Sequence, residues 1–120
     1  MSFTPDPFQV VHDVERALTE DLGTGDRSAA LVPKNHCSEG QLITCETGIL
    51  AGQAWFNTAF HQLCPEISLE WLVHDGDAIN PEQILCRLVG STRALLSAER
   101  TALNFLQLLS GVASVTKQYV

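Results

Sequence analysis

Apolar side chains repeat at helical spacing along the stretch from Ser91 to Ser114. At ~100° per residue, one side of such a helix collects apolar residues and the other collects small or polar ones. The apolar side consists of Ala98, Ala102, Phe105, Leu106, Leu109, Val112 and Ala113, with Leu95 and Leu103 at its edges. The opposite side consists of Arg93, Ser97, Arg100, Asn104, Gln107, Gly111 and Ser114. A helix this apolar on one side buries that side in a core, so the stretch predicts the central helix of the fold.

The N-terminal part of the chain predicts a first helix. Asp6 and Pro7 are typical of a helix start, Gln9 follows the cap by three residues, and Gly23 is typical of a helix end. The predicted core positions are Phe8, Val11, Val14, Leu18 and Leu22. The glycines of residues 23–28 do not predict a phosphate-binding loop, because the segment closes a helix, no strand precedes it and the third glycine is missing. The segment therefore favours a turn.

A second helix is predicted from Gln53 to Cys64, and Pro65 stops it. Its apolar face consists of Phe56, Ala59, Phe60 and Leu63. His61 and Cys64 lie three residues apart and could contact one metal ion. Because no third ligand follows nearby, core packing for the thiol and a surface position for the imidazole are favoured over a metal site.

Short runs of β-forming residues, separated by turn residues, lie between the helices. The predicted strands cover residues 39–48, 69–73 and 83–90, a short apolar run covers 49–51, and the predicted turn covers 74–77. Asp75 and Asp77 do not form a calcium loop, because the later acidic positions and the terminal Glu are missing. The order of elements predicts an α+β fold with a mostly antiparallel sheet and helices on one face.

The composition is that of an ordinary globular protein, with 45% hydrophobic and 18% charged residues among 120. A formal net charge of −7 argues against nucleic-acid binding and against an anionic membrane surface. Seven Lys and Arg residues are few for an anionic substrate, so further positive charge is expected from elsewhere. The four cysteines form no CxxC pair, which favours reduced thiols in a cytoplasmic protein; they are Cys37, Cys45, Cys64 and Cys86.

Targeting signals are not visible in the sequence. The first seven residues contain neither a basic nor an apolar export region. The 16 uncharged residues between Arg100 and Lys117 are too short and too polar for a membrane span. The chain ends at Val120 without a helix cap or a polar tail, which favours the front portion of a longer protein.

Arg100 is the candidate binding residue. Taken alone, an arginine on a helix is more often a solvated surface residue than a ligand. A guanidinium is nevertheless a planar, permanently charged fork that binds a carboxylate or phosphate through two parallel hydrogen bonds. On a rigid helix it is well suited to anchor an anionic substrate.

Four segments together resemble quinolinate phosphoribosyltransferase, the carboxylating nicotinate-nucleotide pyrophosphorylase. They are Ala17–Asp26, Thr47–Gly52, Trp71–Asp77 and Leu95–Ala113. The fourth is the most specific, with Glu-Arg-Thr-Ala-Leu-Asn followed by Ser-Gly-Val-Ala. The sequence departs from the family at Arg27, Ser28 and Ser114, which are small changes.

The resemblance implies an N-terminal α/β hammerhead-like domain over residues 1–92. Residues 93–120 would be the helical segment that leads into an incomplete α/β barrel, which this chain does not contain. The implied reaction joins quinolinate to phosphoribosyl pyrophosphate with Mg²⁺, giving nicotinate mononucleotide, pyrophosphate and carbon dioxide for NAD biosynthesis. The resemblance also implies a head-to-tail homodimer with a shared active site. From the net charge we expect no nucleic-acid or membrane partner, and the cysteine usage favours a cytoplasmic location.

By the same resemblance, Arg100 binds a carboxylate of quinolinate in the partner subunit's site. Asn104 and Glu99 are expected to brace the helix or the interface. No catalytic residue and no metal ligand is assigned to this chain, because the family places those groups on the barrel, and the chain alone is expected to be inactive.

Three other functions remain open. A related enzyme with another substrate, such as nicotinate phosphoribosyltransferase or a molybdenum-locus homologue, would share the architecture. A biotinyl or lipoyl carrier would need a modifiable lysine in its hairpin, but none occurs between Lys34 and Lys117. A purely structural or interaction module is the third.

Overall fold

The described residues of the computed structural model form α-helices and a four-stranded antiparallel sheet. The model describes residues 5–22, 33 and 35–111, together with the backbone of residues 115–119. The helices are α1 (Pro7–Leu22), α2 (Gln53–Leu63) and α3 (Thr92–Ser110). The strands are β1 (Cys37–Thr44), β2 (Gly48–Ile49), β3 (Ser68–Trp71), β4 (Ala78–Ile79), β5 (Ile84–Ser91) and β6 (Val115–Tyr119). This α+β arrangement confirms the predicted fold class.

The strand order in the larger sheet is β3-β5-β1-β6, and β2 pairs with β4 in a separate two-stranded ribbon. Burial alternates along β1, where Gly40, Leu42 and Thr44 are buried and their neighbours are not. This period of two is expected when one face of a sheet packs on a core and the other meets solvent. The register between β1 and β5 shifts after Leu42, where a bulge bends the pair.

The core lies between the sheet and the helices. Its fully buried larger side chains are Leu42, Leu50, Phe56, Phe60, Ile79, Leu85, Leu88, Leu95, Leu106 and Val14. Phe56 is central, because its ring meets Phe60 at a centroid distance of 5.0 Å and Trp71 at 5.1 Å. Such edge and tilted contacts add to the gain from burial alone.

The start of α1 confirms the predicted cap, whereas one predicted core position is wrong. The Asp6 carboxylate accepts a hydrogen bond from the Phe8 amide at 3.0 Å. Phe8 itself is 85% exposed, and Val10 is buried in its place. The two residues are about 200° apart around the helix, so a face that follows Val10, Val14 and Leu18 must leave Phe8 outside.

The predicted strand 39–48 is two elements instead of one. β1 begins at Cys37 and ends at Thr44, and the chain bends before β2 begins at Gly48. The buried Thr44 hydroxyl explains the break, since it donates to the Glu46 carbonyl at 2.9 Å and accepts from the Glu46 amide at 3.1 Å. The Glu46 backbone groups therefore bond to the Thr44 side chain instead of continuing the strand.

The long helix ends earlier than predicted. α3 stops at Ser110, and Gly111 caps it in the left-handed conformation with φ 68°. Residues 115–119 form β6, which the helical pattern did not predict, although Val115, Thr116 and Tyr119 are strand-forming residue types. The remaining predicted helix positions, residues 112–114, lie outside the described residues, as do 23–28. The division of the chain after residue 92 stays a prediction.

Candidate functional site

α3 is fixed at both ends and packed along its length. The Ser91 hydroxyl caps its N-terminus by accepting from the Ala94 amide at 3.4 Å. Leu95, Ala98, Ala102 and Leu106 are fully buried on its inner face. The helix therefore presents its outer face on a rigid support, as the sequence pattern predicted.

The outer face is the polar ridge, which we define as Arg93, Ser97, Arg100, Asn104, Gln107 and Gly111. Every residue of the ridge is exposed or half-buried. Arg100 and Asn104 are exposed and one helical turn apart, so their side chains leave the same part of the surface. Asn104 has no hydrogen-bond partner in the described part of the chain, so it does not brace its own helix there; its predicted role at an interface stays a prediction.

Arg100 lies where the sequence placed it, on the exposed side of α3, opposite the core. Within the described residues its guanidinium forms no ion pair and no hydrogen bond. Arg87 contrasts with it, because Arg87 lies 3.7 Å from a carboxylate oxygen of Glu70 on the neighbouring strand. The Arg100 side chain is therefore exposed on the outer face of α3, and its role as a ligand stays a prediction.

A groove of about 250 Å³ runs between α1 and α3 beside the polar ridge. It is lined by Ala17, Glu20, Asp21, Thr101, Asn104, Phe105 and Leu108. The Asp21 carboxylate in this lining accepts a hydrogen bond from the Thr101 hydroxyl. Two carboxylates disfavour an anion inside the groove itself.

His61 and Cys64, the pair that could contact one metal ion, bind different partners in the described structure. The His61 Nε2 atom lies 2.9 Å from the Ile67 carbonyl, and the Cys64 thiol donates to Glu66 at 3.2 Å. No three His, Cys, Asp or Glu side chains come together as an ion site within the residues that the structure describes. His61 and Cys64 therefore contact groups of their own chain, and the assignment of Mg²⁺ to the barrel stays a prediction.

All four cysteines are free thiols in the described structure. The hydrogen bond to Glu66 raises the pKa of the Cys64 thiol, and burial adds to the effect. Burial raises the pKa of Cys86 to about 12. A thiol is nucleophilic as its thiolate, so Cys64 and Cys86 are poor nucleophiles near neutral pH. Cys37 and Cys45 are exposed.

Three hydroxyls on α3 were not singled out by the sequence analysis. Thr92 and Thr101 are buried, and Ser110 is half-buried, and each forms hydrogen bonds with a different part of the chain. Helical periodicity marks such residues only as interruptions of an apolar face. Their partners lie up to 80 residues away in the sequence, so no local signal could reveal them.

The described helices include none that is long and apolar enough to cross a membrane.

Comparison with known proteins gives a consistent result. Residues 24–110 match the family model of the quinolinate phosphoribosyl transferase N-terminal domain. A quinolinate phosphoribosyltransferase (decarboxylating) of Nicotiana tabacum is 35% identical over 87% of this chain and 30% of its own length. A probable carboxylating nicotinate-nucleotide pyrophosphorylase of Synechocystis is 32% identical over 89% of this chain and 36% of its own length.

Solved structures of the same kind superpose closely. The nicotinate-nucleotide pyrophosphorylase of Francisella tularensis matches with a TM-score of 0.82 and 35% identity, over 87% of this chain and 37% of its own. NadC of Streptococcus pyogenes matches with a TM-score of 0.86 and 34% identity, over 92% of this chain and 40% of its own. The chain thus spans between a third and two fifths of the length of these structures. It belongs to the quinolinate phosphoribosyl transferase family and corresponds to the family's N-terminal domain.

Proposed function

We propose that this chain is the N-terminal part of an enzyme that joins quinolinate to phosphoribosyl pyrophosphate. The products would be nicotinate mononucleotide, pyrophosphate and carbon dioxide, in NAD biosynthesis. Membership of the family supports the reaction class. The observation that carries the proposal for this chain is Arg100, an exposed guanidinium without an ion pair in the described structure, mounted on a helix whose other face is buried.

Arg100 is the proposed substrate-binding residue. A pyridine dicarboxylate offers planar carboxylates that match the two parallel hydrogen bonds of a guanidinium. The acidic groove beside the polar ridge makes it unfavourable for the diacid to bind against the same subunit's α1. We therefore place the diacid between Arg100 and a second, more basic surface, supplied by another subunit of a homodimer.

The chemistry needs positioning more than it needs a catalytic base from this chain. A bond forms between the pyridine nitrogen and C1 of the ribose as pyrophosphate leaves, and the ring becomes cationic. The adjacent C–C bond then breaks, its electron pair passes to the cationic ring, carbon dioxide leaves and a proton replaces it. Holding two anions in register accounts for much of such a rate enhancement. Arg100 contributes to that register.

The remaining groups belong to parts of the enzyme outside this chain. Mg²⁺ would offset the charge of the pyrophosphate when bound, and it would be held by the barrel. The chain by itself is therefore inactive under this proposal, and the complete enzyme is cytoplasmic.

The test is a comparison of Arg100→Ala with Arg16→Ala in the complete enzyme. Arg16 is a matched control, because it is an exposed arginine on the outer side of α1. Loss of a charged hydrogen bond at Arg100 should raise the KM for quinolinate by about ten- to a hundredfold. The KM for phosphoribosyl pyrophosphate should stay near its original value, and Arg16→Ala should change neither. An equal rise in the KM for both substrates would contradict the role of Arg100 as the residue that binds the diacid.

A further inference from the structure

Three hydroxyls tie α3 to three separate elements. The Thr92 Oγ1 atom lies 2.7 Å from His36 Nδ1 and 2.6 Å from Ser38 Oγ, at the start of β1. The Thr101 hydroxyl donates to the Asp21 carboxylate of α1. The Ser110 hydroxyl donates to the Ala51 carbonyl at 2.8 Å and accepts from the Ala51 amide at 2.9 Å, just before α2.

The spacing of these hydroxyls places them on both flanks of the helix. Thr92, Thr101 and Ser110 follow one another at intervals of nine residues. Nine residues are about two and a half turns, so Thr92 and Ser110 lie on one flank and Thr101 on the other. Arg100 lies about a quarter turn from each flank, on the exposed side midway between them.

The apolar contacts of α3 alone do not set its rotation sharply. Two of the four fully buried residues on its inner face are alanines, Ala98 and Ala102. Hydrophobic burial is non-directional, whereas hydrogen bonds depend on distance and angle. A rotation of the helix in either sense would stretch the bonds on one flank or the other. The flanking hydroxyls therefore restrict the rotation about the helix axis.

We propose that Thr92, Thr101 and Ser110 are positioning residues, which fix the rotation of α3 and thereby aim Arg100 at the diacid. This inference rests on the proposed substrate-binding role of Arg100. A rotation of about 20° moves a group about 6 Å from the helix axis by about 2 Å. Displacements of about 1 Å in a catalytic site can cost about a hundredfold in rate, so the loss of one hydroxyl is enough to be measured.

The experiment is a double-mutant cycle on the complete enzyme between Thr101→Val and Arg100→Ala. With Arg100 present, Thr101→Val should raise the KM for quinolinate about tenfold, while the KM for phosphoribosyl pyrophosphate stays nearly unchanged. In the Arg100→Ala background, Thr101→Val should have no further effect on that KM, because the hydroxyl acts through the guanidinium. Thr101→Ser, which keeps the hydroxyl, should restore the original value.

Controls separate positioning from general loss of stability. Ala59→Gly, at a buried helical position in α2, should shift the unfolding midpoint to a lower urea concentration without changing the KM for quinolinate. Ser110→Ala removes the hydrogen bonds on the opposite flank and should reproduce the effect of Thr101→Val even if that variant folds poorly.

The outcomes distinguish the two proposals. An effect of Thr101→Val that persists in the Arg100→Ala background, or an equal effect of Ala59→Gly, overturns the positioning inference and leaves the anchor in place. If Arg100→Ala does not raise the KM for quinolinate, the proposed substrate role falls, and the positioning inference falls with it.

Discussion

Gly52 lies directly against Leu109. A Cβ atom on Gly52 would be 2.9 Å from Leu109 Cδ1 and 3.2 Å from Leu109 Cβ. The adjacent residues Ala51 and Ser110 exchange two hydrogen bonds at the same place. The start of α2 and the end of α3 therefore meet at a point that leaves no room for a side chain.

Replacing Gly52 by alanine should destabilise the protein by about 3 kcal/mol. About 1–2 kcal/mol comes from the φ of +100°, which a residue with a Cβ adopts poorly, and overpacking against Leu109 adds about 1–3 kcal/mol. Gly76→Ala is the matched control, because Gly76 has φ +94° but nothing within 4 Å of the added Cβ. It should cost only the backbone part. Urea unfolding of both variants measures the difference, and equal costs would show that the contact with Leu109 is unimportant.

Replacing Glu82 by glycine should stabilise the protein. It is the one non-glycine residue with positive φ among the described residues, at 66°, in the turn between β4 and β5. Its amide donates to the Thr44 carbonyl at 2.8 Å, which holds it there. Because the left-handed conformation costs a residue with a Cβ about 1–2 kcal/mol, Glu82→Gly should raise the free energy of unfolding by about 1 kcal/mol. Glu82→Ala keeps the backbone strain and should change the free energy of unfolding little. If alanine raised that free energy as much as glycine, the lost charge of Glu82 would be the cause instead of the strain.

Local sequence signals predicted the parts of the fold that depend on local physics. Asp6 caps α1 and Pro65 follows the end of α2, because a cap and a missing amide act within a few residues. The failures depend on distant contacts. Thr44 reads as a strand residue, yet its hydroxyl turns the chain, and Phe8 reads as core although the face that meets α2 and α3 passes through Val10.

The candidate site shows the same division. The exposure of Arg100 followed from the helical pattern, since the residue lies opposite the buried positions. The hydrogen bond that holds α3 to α1 did not follow from this pattern, because the Thr101 hydroxyl donates to Asp21, which lies 80 residues earlier in the sequence. Under the proposed function, the anion that Arg100 binds is held in part by a second surface from another subunit, and no pattern in these residues could predict that surface.

Asp13 should make stability fall at low pH. Its carboxylate accepts hydrogen bonds from the Trp55 indole at 3.1 Å and from the side-chain amide of Gln9 at 2.7 Å. These bonds hold the pKa of Asp13 below the ordinary 3.8. A lowered pKa in the folded state means that stability is present above pH 3.8 and is lost as the pH falls below it. Asp13→Asn should therefore flatten the dependence of the unfolding free energy on pH below that value. Glu15→Gln, on the exposed side of the same helix, is the control variant, and an equal flattening in it would exclude Asp13 as the cause.

Cys86 should make stability fall at high pH instead. The thiol is completely buried in β5, and burial raises its pKa from an ordinary 9.0 to about 12. The unfolded chain therefore loses the thiol proton at a lower pH than the folded chain, so stability is complete below pH 9 and declines as the pH rises towards 12.

The measurement is the unfolding free energy of the native chain and of Cys86→Ala from pH 8 to pH 10.5. The variant should be less stable at every pH, but its unfolding free energy should fall less over this range. Thiol labelling at pH 8 gives an independent check, because the exposed Cys37 and Cys45 should react in the folded protein and Cys86 only after unfolding. Parallel pH profiles, or labelling of Cys86 in the folded state, would contradict the burial of a protonated thiol.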